Sequence, residues 1–256
     1  MKRIYSLIFL IGLLHSSTIA QQWKSAPLEI FGGISNFHYF GDIGGSPSES
    51  NWGGLRDINL RKIRPGLHIG ARYQIIKPVT IKVNYDIGFL AQSDKNSKND
   101  GRNLAFLTLI NEFAVSGEFY IIPESDENYY YSIMQVRGGL RHFRQPFSLY
   151  VTLGAGGIYY NVWARDALTT HPRFVDTESW AMVIPVGIGA KYALMPSISA
   201  GAEIVARYTT TDYLDGYTSD FSEHNDIYYT FVLKVNYKIR QTRKRNIGLP
   251  RRRFSF

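Results

Sequence analysis

The segment from Trp180 to Thr211 constrains the fold of this chain more than any other stretch. It consists of two alternating runs, MVIPVGIGAKYAL and ISAGAEIVARY, which are separated by a short turn. Successive side chains on a strand point to opposite faces, so each run has one apolar face and one face of small or charged residues. Long strands of about ten residues with this alternation, paired by short turns, are typical of membrane-spanning β-barrels.

The same alternation recurs along the chain and predicts an all-β fold, an eight-stranded antiparallel transmembrane β-barrel. The predicted strands cover residues 28–40, 65–76, 79–91, 104–122, 147–161 and 227–239, with two more inside 180–211. Closure is required because lipid cannot hydrogen-bond a free strand edge, and an even strand number suits a single-chain bacterial barrel. An eight-stranded barrel is just wide enough inside for its own side chains. We therefore expect a plugged polar lumen rather than a solute channel.

The N-terminus and the composition set the expected domain organisation. Lys2 and Arg3 precede an apolar run that ends at Leu14, and small residues follow, which predicts a signal peptide over residues 1–20. An uncleaved anchor helix is the alternative. The barrel is expected over residues 21–239 and a basic periplasmic tail over residues 240–256. The chain has no cysteine, which excludes a disulfide framework and the acylated cysteine of a lipoprotein.

Basic residues are concentrated in two segments that we predict on the periplasmic side. The net charge of the chain is +8, and the tail contributes basic residues and no acid. Export argues against a nucleic-acid partner, so anionic lipid or an acidic periplasmic protein is expected instead. Residues 123–146 are interpreted as a modest turn between two strands that extend beyond the membrane, and the alternative is a docking surface for a periplasmic partner. The candidate partner contacts are Arg137, Arg141, Arg144, Arg243, Lys244, Arg245, Arg251, Arg252 and Arg253.

The inward-facing positions of the predicted strands carry five acids and five bases. Charges in a confined lumen of low dielectric constant are tolerated when they are paired and hydrogen-bonded, so we interpret them as a structural plug. An ion path or a pair of catalytic acids is the alternative interpretation. The ten residues, called here the lumen charge network, are Glu29, Arg72, Lys82, Asp86, Glu112, Glu118, Lys191, Glu203, Arg207 and Lys234.

Residues suited to catalysis or metal binding form no recognisable motif. Asp212, Asp215, Asp220, His224 and Asp226 all fall in the predicted loop 211–226, where an omptin-like protease would place acids and a histidine. Polar side chains of a solvated loop are the simpler interpretation, and their spacing does not match a calcium loop. The sequence has no phosphate-binding glycine loop in a suitable context and no cysteine-based metal site. We expect no cofactor and predict that the protein is not an enzyme.

Four stretches resemble the PorG-like outer-membrane barrels of the Bacteroidetes. The runs IPVGIGAKYAL and AEIVARYTTTDYLDGYTS resemble the final hairpin and outer loop of that family, and GGISNFHYFGDIG and RPGLHIGARY are similar to its first two strands. The resemblance covers about residues 28–237. The most specific part of the resemblance is a short loop run, called here the family loop motif, which follows Arg207 and precedes Gly216. The family commonly has a second acid at the position of Gly216. The motif residues are Thr211, Asp212, Tyr213, Leu214 and Asp215.

This resemblance implies a component of the type IX secretion and gliding machinery that associates with a periplasmic ring, formed by a lipoprotein and its partner protein. The leading hypothesis is therefore a non-enzymatic barrel that sits in outer-membrane lipid and anchors the ring through residues 123–146 and the tail. The alternative is a surface receptor or adhesin that binds ligands through the loops 41–63, 162–178 and 211–226. A hydrolase built at the rim on loop 211–226 is a third hypothesis.

Overall fold

The strands close into a barrel in which each strand pairs with its sequence neighbours and the first pairs with the last, all antiparallel. The computed structural model describes residues 27–44, 64–95, 97, 99–123, 146–175, 179–195, 197–217 and 225–239. The strands are β1 Leu28–Phe40, β2 Pro65–Ile76, β3 Val79–Ser93, β4 Leu104–Ile122, β5 Phe147–Asp166, β6 Ser179–Met195, β7 Ile198–Thr209 and β8 Ile227–Ile239. Short 3-10 helices, Asp100–Arg102 and Ala167–Thr170, follow β3 and β5. The predicted fold class is confirmed.

The two ends of the barrel differ in their connections. β1 begins where β8 ends, with Leu28 paired to Ile239, and we call this the terminal end. The opposite end is the loop end, where the connection after β1 and the connections after β3, β5 and β7 lie. At the terminal end β2 turns tightly into β3 at Lys77, whose carbonyl accepts a hydrogen bond of 3.0 Å from Gln74 Nε2. The predicted turn at this position is confirmed.

The predicted strand bounds are correct for β1, β2, β4 and β8, whereas β3 and β5 are longer than predicted. The prediction that a loop begins at Val162 is wrong, because β5 continues to Asp166. These residues stay in the sheet because β4 offers them a partner edge, on which Leu104 pairs with Asp166 and Leu107 with Trp163. The strand ends at Asp166, whose φ of 51° departs from extended geometry.

The outer wall carries a continuous belt of exposed apolar side chains. Ile34 is 64% exposed, Leu153 62%, Ile188 55% and Leu233 62%, each at a position of the predicted outward parity. Side chains of this size are normally buried in a water-soluble protein, and a contiguous belt of them indicates contact with lipid. The alternation of the sequence therefore becomes a lipid-facing outer wall and a filled interior.

The interior is divided into a charged part and an apolar part. Charged side chains fill the terminal end and the middle of the lumen, whereas buried apolar side chains fill the loop end. The apolar part includes Phe37, Ile43, Leu90, Phe106, Ile110, Ile158, Val183, Leu214 and Tyr228. Parity predicts that the strand residues among them face inward, but Ile43 and Leu214 fall in predicted loops, and parity does not predict that the loop end of the lumen is apolar.

Candidate functional site

The lumen charge network is buried as a whole and is built from seven of the eight strands. All ten residues are buried, with relative exposures of 6% or less. They point inward because each occupies the parity opposite to the apolar belt. β5 contributes no charge, but its Tyr150 is fully buried among the charged groups.

At the terminal end Arg72 is the centre of the network. Its Nη1 donates a hydrogen bond of 2.6 Å to Glu29 Oε1, and its Nε lies 2.9 Å from Glu118 Oε2. Lys191 Nζ donates to the other oxygen of Glu29 at 2.7 Å. The guanidinium thereby joins carboxylates from β1 and β4, which is the multidentate geometry that arginine provides and lysine does not.

In the middle of the lumen Glu203 is the acceptor on which several cations converge. Lys82 Nζ lies 3.2 Å from Glu203 Oε2, Arg72 Nη2 lies 3.3 Å from Oε1, and Lys234 forms a further ion pair with Oε1. The hydroxyl of Tyr150 donates to the same carboxylate at 2.5 Å. Removing this single acid would leave several buried cations without their main partner.

Towards the loop end Arg207 and His68 complete the network. Arg207 Nε lies 2.5 Å from Glu112 Oε2, and its Nη2 lies 3.5 Å from Asp86 Oδ2. His68 Nδ1 lies 2.6 Å from Asp86 Oδ1, while its Nε2 lies 3.9 Å from Glu203. Contacts therefore run without a break through all ten residues, as a plug requires. His68, Tyr150 and Tyr228 were missed as members from the sequence, because inward parity was their only signal.

The family loop motif folds into the mouth of the barrel. Leu214 and Asp215 are fully buried, whereas Thr211 and Asp212 are half-buried and Tyr213 is exposed. The carbonyl of Leu214 accepts a hydrogen bond of 2.6 Å from Thr108 Oγ1 on β4. Residues 211–217, called here the mouth cap, therefore cover the apolar part of the lumen.

One tyrosine joins Asp215 of the mouth cap to Asp226, the buried acid that precedes β8. The hydroxyl of Tyr39 lies 2.8 Å from Asp215 Oδ2 and 2.6 Å from Asp226 Oδ1. Backbone amides also donate to both acids, from Tyr217 to Asp215 and from Leu214 to Asp226, each at 2.9 Å. A tyrosine hydroxyl carries one proton and can donate to only one of the two acids at a time. A second hydrogen bond to the hydroxyl therefore requires that one carboxyl group is protonated.

Burial of these acids accounts for that protonation. Desolvation raises the pKa of Asp215 to about 8, and it raises the pKa of Asp226 well above its usual range, with the charge of Asp215 adding to the effect. The interpretation of the loop acids as solvated side chains is therefore wrong for Asp215 and Asp226. It failed because Leu214 is buried in the barrel mouth, with Asp215 buried beside it and Asp226 accepting a hydrogen bond from its backbone amide.

Several predicted features lie outside the described residues. They include the signal peptide over 1–20, the tail over 240–256, most of loop 41–63 and nearly all of segment 123–146. The rim residues Asp220 and His224 are also outside, as are the candidate partner contacts Arg137, Arg141, Arg144, Arg243, Lys244, Arg245, Arg251, Arg252 and Arg253. These partner contacts stay predictions.

Among the residues that the structure describes, no three or more His, Asp or Glu side chains form a group able to hold a metal ion. No helix within the described ranges has the length and hydrophobicity needed to cross a bilayer.

Several solved structures of bacterial surface and outer-membrane proteins are similar to this chain. Neisserial surface protein A is 10% identical with a TM-score of 0.45, covering 84% of this chain and 98% of that chain. The attachment invasion locus protein Ail of Yersinia pestis, in complex with a heparin analogue, is 12% identical with a TM-score of 0.43, covering 83% and 97%. OprG of Pseudomonas aeruginosa is 9% identical with a TM-score of 0.41, covering 85% and 97%.

At the level of sequence, a family model described as "Domain of unknown function (DUF6089)" matches residues 2–238. No curated protein matches the chain.

Proposed function

This chain belongs to the family described as a domain of unknown function (DUF6089), and from its filled lumen we propose that it is a non-enzymatic anchor in the bacterial outer membrane, within the type IX secretion and gliding machinery. The observation that carries the proposal is two sets of buried ion pairs, one from Lys191 through Arg72 to Glu203 and one around Arg207 and Asp86, with His68 in contact with both Glu203 and Asp86. A lumen filled in this way offers no path for a solute. The barrel then serves as a fixed support whose partners bind at its ends.

The position of the family loop motif also supports a barrel that serves as a fixed support and binds its partners at its ends. Leu214 and Asp215 are buried in the mouth cap, and Arg207 pairs with Glu112 inside the barrel. The motif thus closes the loop end, which in outer-membrane barrels faces the cell exterior. We infer that the periplasmic ring, its lipoprotein and the partner protein are held at the terminal end, by the tail and residues 123–146, while the apolar belt contacts outer-membrane lipid.

Two experiments test the proposal. A strain that lacks this protein is expected to lose type IX cargo from the cell surface, and normal cargo display would overturn the assignment to that machinery. In a pull-down of the ring lipoprotein, changing Arg251, Arg252 and Arg253 together to glutamine is expected to reduce recovery, whereas the matched lysine variant keeps the charge and is expected to retain it. Equal recovery of both variants would show that the tail charges do not bind the ring lipoprotein.

The hairpin of β4 and β5 favours a second candidate, a surface receptor or adhesin. Within the described residues, β5 pairs with β6 as far as Tyr160, opposite Ser179, and continues to Asp166 paired with β4. Trp163 is 43% exposed on this extension. Replacement of residues 162–178 that abolishes binding to host surface ligands but spares cargo secretion would support this candidate over the anchor.

A further inference from the structure

In the part of the chain that the structure describes, the wall of the barrel has a notch where β2 begins. The pairing of β1 with β2 stops at Asn36 and Pro65, and the pairing of β2 with β3 stops at Gly66 and Gly88. Both neighbours nevertheless run on towards the loop end, β1 to Phe40 and β3 to Ser93. Among the described residues, β1 and β3 therefore face each other beyond the start of β2 with no strand paired between them, and we call this place the gap.

An apolar groove of about 580 Å³ lies on the outer wall at this notch. Its walls include Ile34, Leu67, Ile87, Phe89, Phe231 and Leu233. Its floor is thin, because Gly66 and Gly88 have no side chains and the ring of Phe37 packs against them from inside, leaving no room for a Cβ atom. The groove is thus an indentation of the lipid-facing surface that is sealed from the lumen by one aromatic ring.

A buried cation lies beside the groove on its loop-end side. Arg64, which precedes β2, is 7% exposed, and its Nη2 donates a hydrogen bond of 2.7 Å to Gln92 Oε1. Its Nη1 lies 3.4 Å from His38 Nδ1. No carboxylate contacts Arg64 within the described ranges. His38 and Gln92 lie further along β1 and β3 than the groove-lining residues, so the guanidinium bridges the gap above the groove.

Beside Arg64, the ring of His38 offers a second hydrogen-bond donor. Its ring stands edge-on to Phe231, a groove residue, with 5.3 Å between the ring centres. Because Nδ1 accepts from Arg64, a neutral ring carries its proton on Nε2. That Nε2 is buried and has no hydrogen-bond partner in the described part of the chain. A guanidinium without a carboxylate and a free ring N–H are both suited to an oxyanion.

We propose that the groove binds one acyl chain of an anionic outer-leaflet lipid, whose phosphate group is held by Arg64 and His38 Nε2. The groove opens into the apolar belt, where Leu67 is 57% exposed and Leu233 62%, so it is continuous with the surface that lipid already covers. Its polar end lies towards the loop end, on the side where outer-leaflet headgroups sit. The site is independent of any role in secretion.

Native mass spectrometry of the full-length protein, released from detergent with added lipid, tests the site. Dioleoylphosphatidylglycerol and dioleoylphosphatidylcholine share their acyl chains and differ in headgroup charge. The protein is expected to retain one phosphatidylglycerol in preference to phosphatidylcholine. Leu67→Trp, which fills the groove, is expected to weaken retention by about tenfold or more, because removing a few buried methylenes from contact has that effect on affinity.

Matched variants make the result specific to the groove. Ile188→Trp replaces a side chain of similar exposure, 55% against 57%, on β6, and is expected to retain lipid like the unchanged protein. If Leu67→Trp does not fold, Leu233→Trp and its control Leu153→Trp, both at 62% exposed positions, replace the pair. Arg64→Gln is expected to abolish the preference between the two headgroups. Equal retention by groove and control variants, as expected if another part of the chain fills the groove, would overturn the proposal.

Discussion

The hydroxyl of Tyr39 on β1 lies 2.6 Å from Oδ1 of Asp226, just before β8, although the two residues are 187 positions apart in sequence. This contact, together with Asp215 on the same hydroxyl, holds the mouth cap over the apolar end of the lumen. Hydrogen bonds of this kind require one of the acids to be protonated. The closure of the barrel mouth is therefore linked to pH.

We predict that the mouth cap loosens as the pH rises. The pKa of Asp215 is raised from its usual 3.8 to about 8, so its proton is held more tightly in the folded cap than in the open one. The resulting stabilisation is complete below about pH 4 and is lost as the pH rises through about 8. Hydrogen exchange at the amides of Leu214 and Tyr217, corrected for intrinsic rates, is expected to accelerate between about pH 4 and 8, the range over which this linkage removes the stabilisation.

The control for this prediction is the double change Asp215→Asn and Asp226→Asn, which mimics the protonated acids. Its corrected exchange rates are expected to stay slow across the same pH range. The shared-proton geometry would be contradicted if the mouth-cap amides of the unchanged protein exchanged at equal corrected rates at both ends of this pH range.

Glu203→Ala should destabilise the barrel strongly. It leaves Lys82, Lys234 and Arg72 without a shared acceptor in a buried site, and breaking a buried ion pair costs about 3–5 kcal/mol. Lys95→Ala, at an exposed charged side chain after β3, should change stability by only about 0.5 kcal/mol. Urea unfolding of both variants in lipid vesicles measures the difference, and equal midpoints would argue against a structural plug.

Gly216→Ala should weaken the mouth cap. Gly216 has a φ of +73°, and a Cβ atom there would lie 2.7 Å from the ring of Phe174. We expect a loss of about 1–3 kcal/mol in stability for this strain. Gly101→Ala is the matched control, since a Cβ atom there meets nothing within 4 Å. Thermal unfolding measures the midpoint temperature of both variants. Equal decreases would show that backbone strain at Gly216 is not the cause of the lost stability.

The barrel could be predicted from the sequence because its signal is local. Alternation fixes which face of a strand Ile188 and Glu203 occupy, and the bounds of four strands followed from turn residues at their ends. The end of β5 could not be predicted, because residues beyond Asn161 stay extended only through pairing with β4. The burial of Asp215 and Asp226 could not be predicted either, since it depends on Tyr39, which lies on β1, far from both acids in sequence.

The gap at the start of β2 also depends on residues that are distant in sequence, so local patterns could not predict it. The short β2 was predicted, but the groove beside it arises from the relative lengths of β1, β2 and β3 once they are in register. Arg64 precedes the predicted strand and carried no signal of its own. Its position between His38 and Gln92 depends on two strands that are distant in sequence.

Ion conductance of the purified protein in planar lipid bilayers tests the central claim most directly, because that claim is that paired charges and the mouth cap fill the lumen of a closed eight-stranded barrel. We predict that insertion of the folded protein produces no stepwise current above that of the bare bilayer. Reproducible single-channel steps from the unchanged protein at neutral pH would contradict the plugged lumen and, with it, the proposal of a fixed anchor.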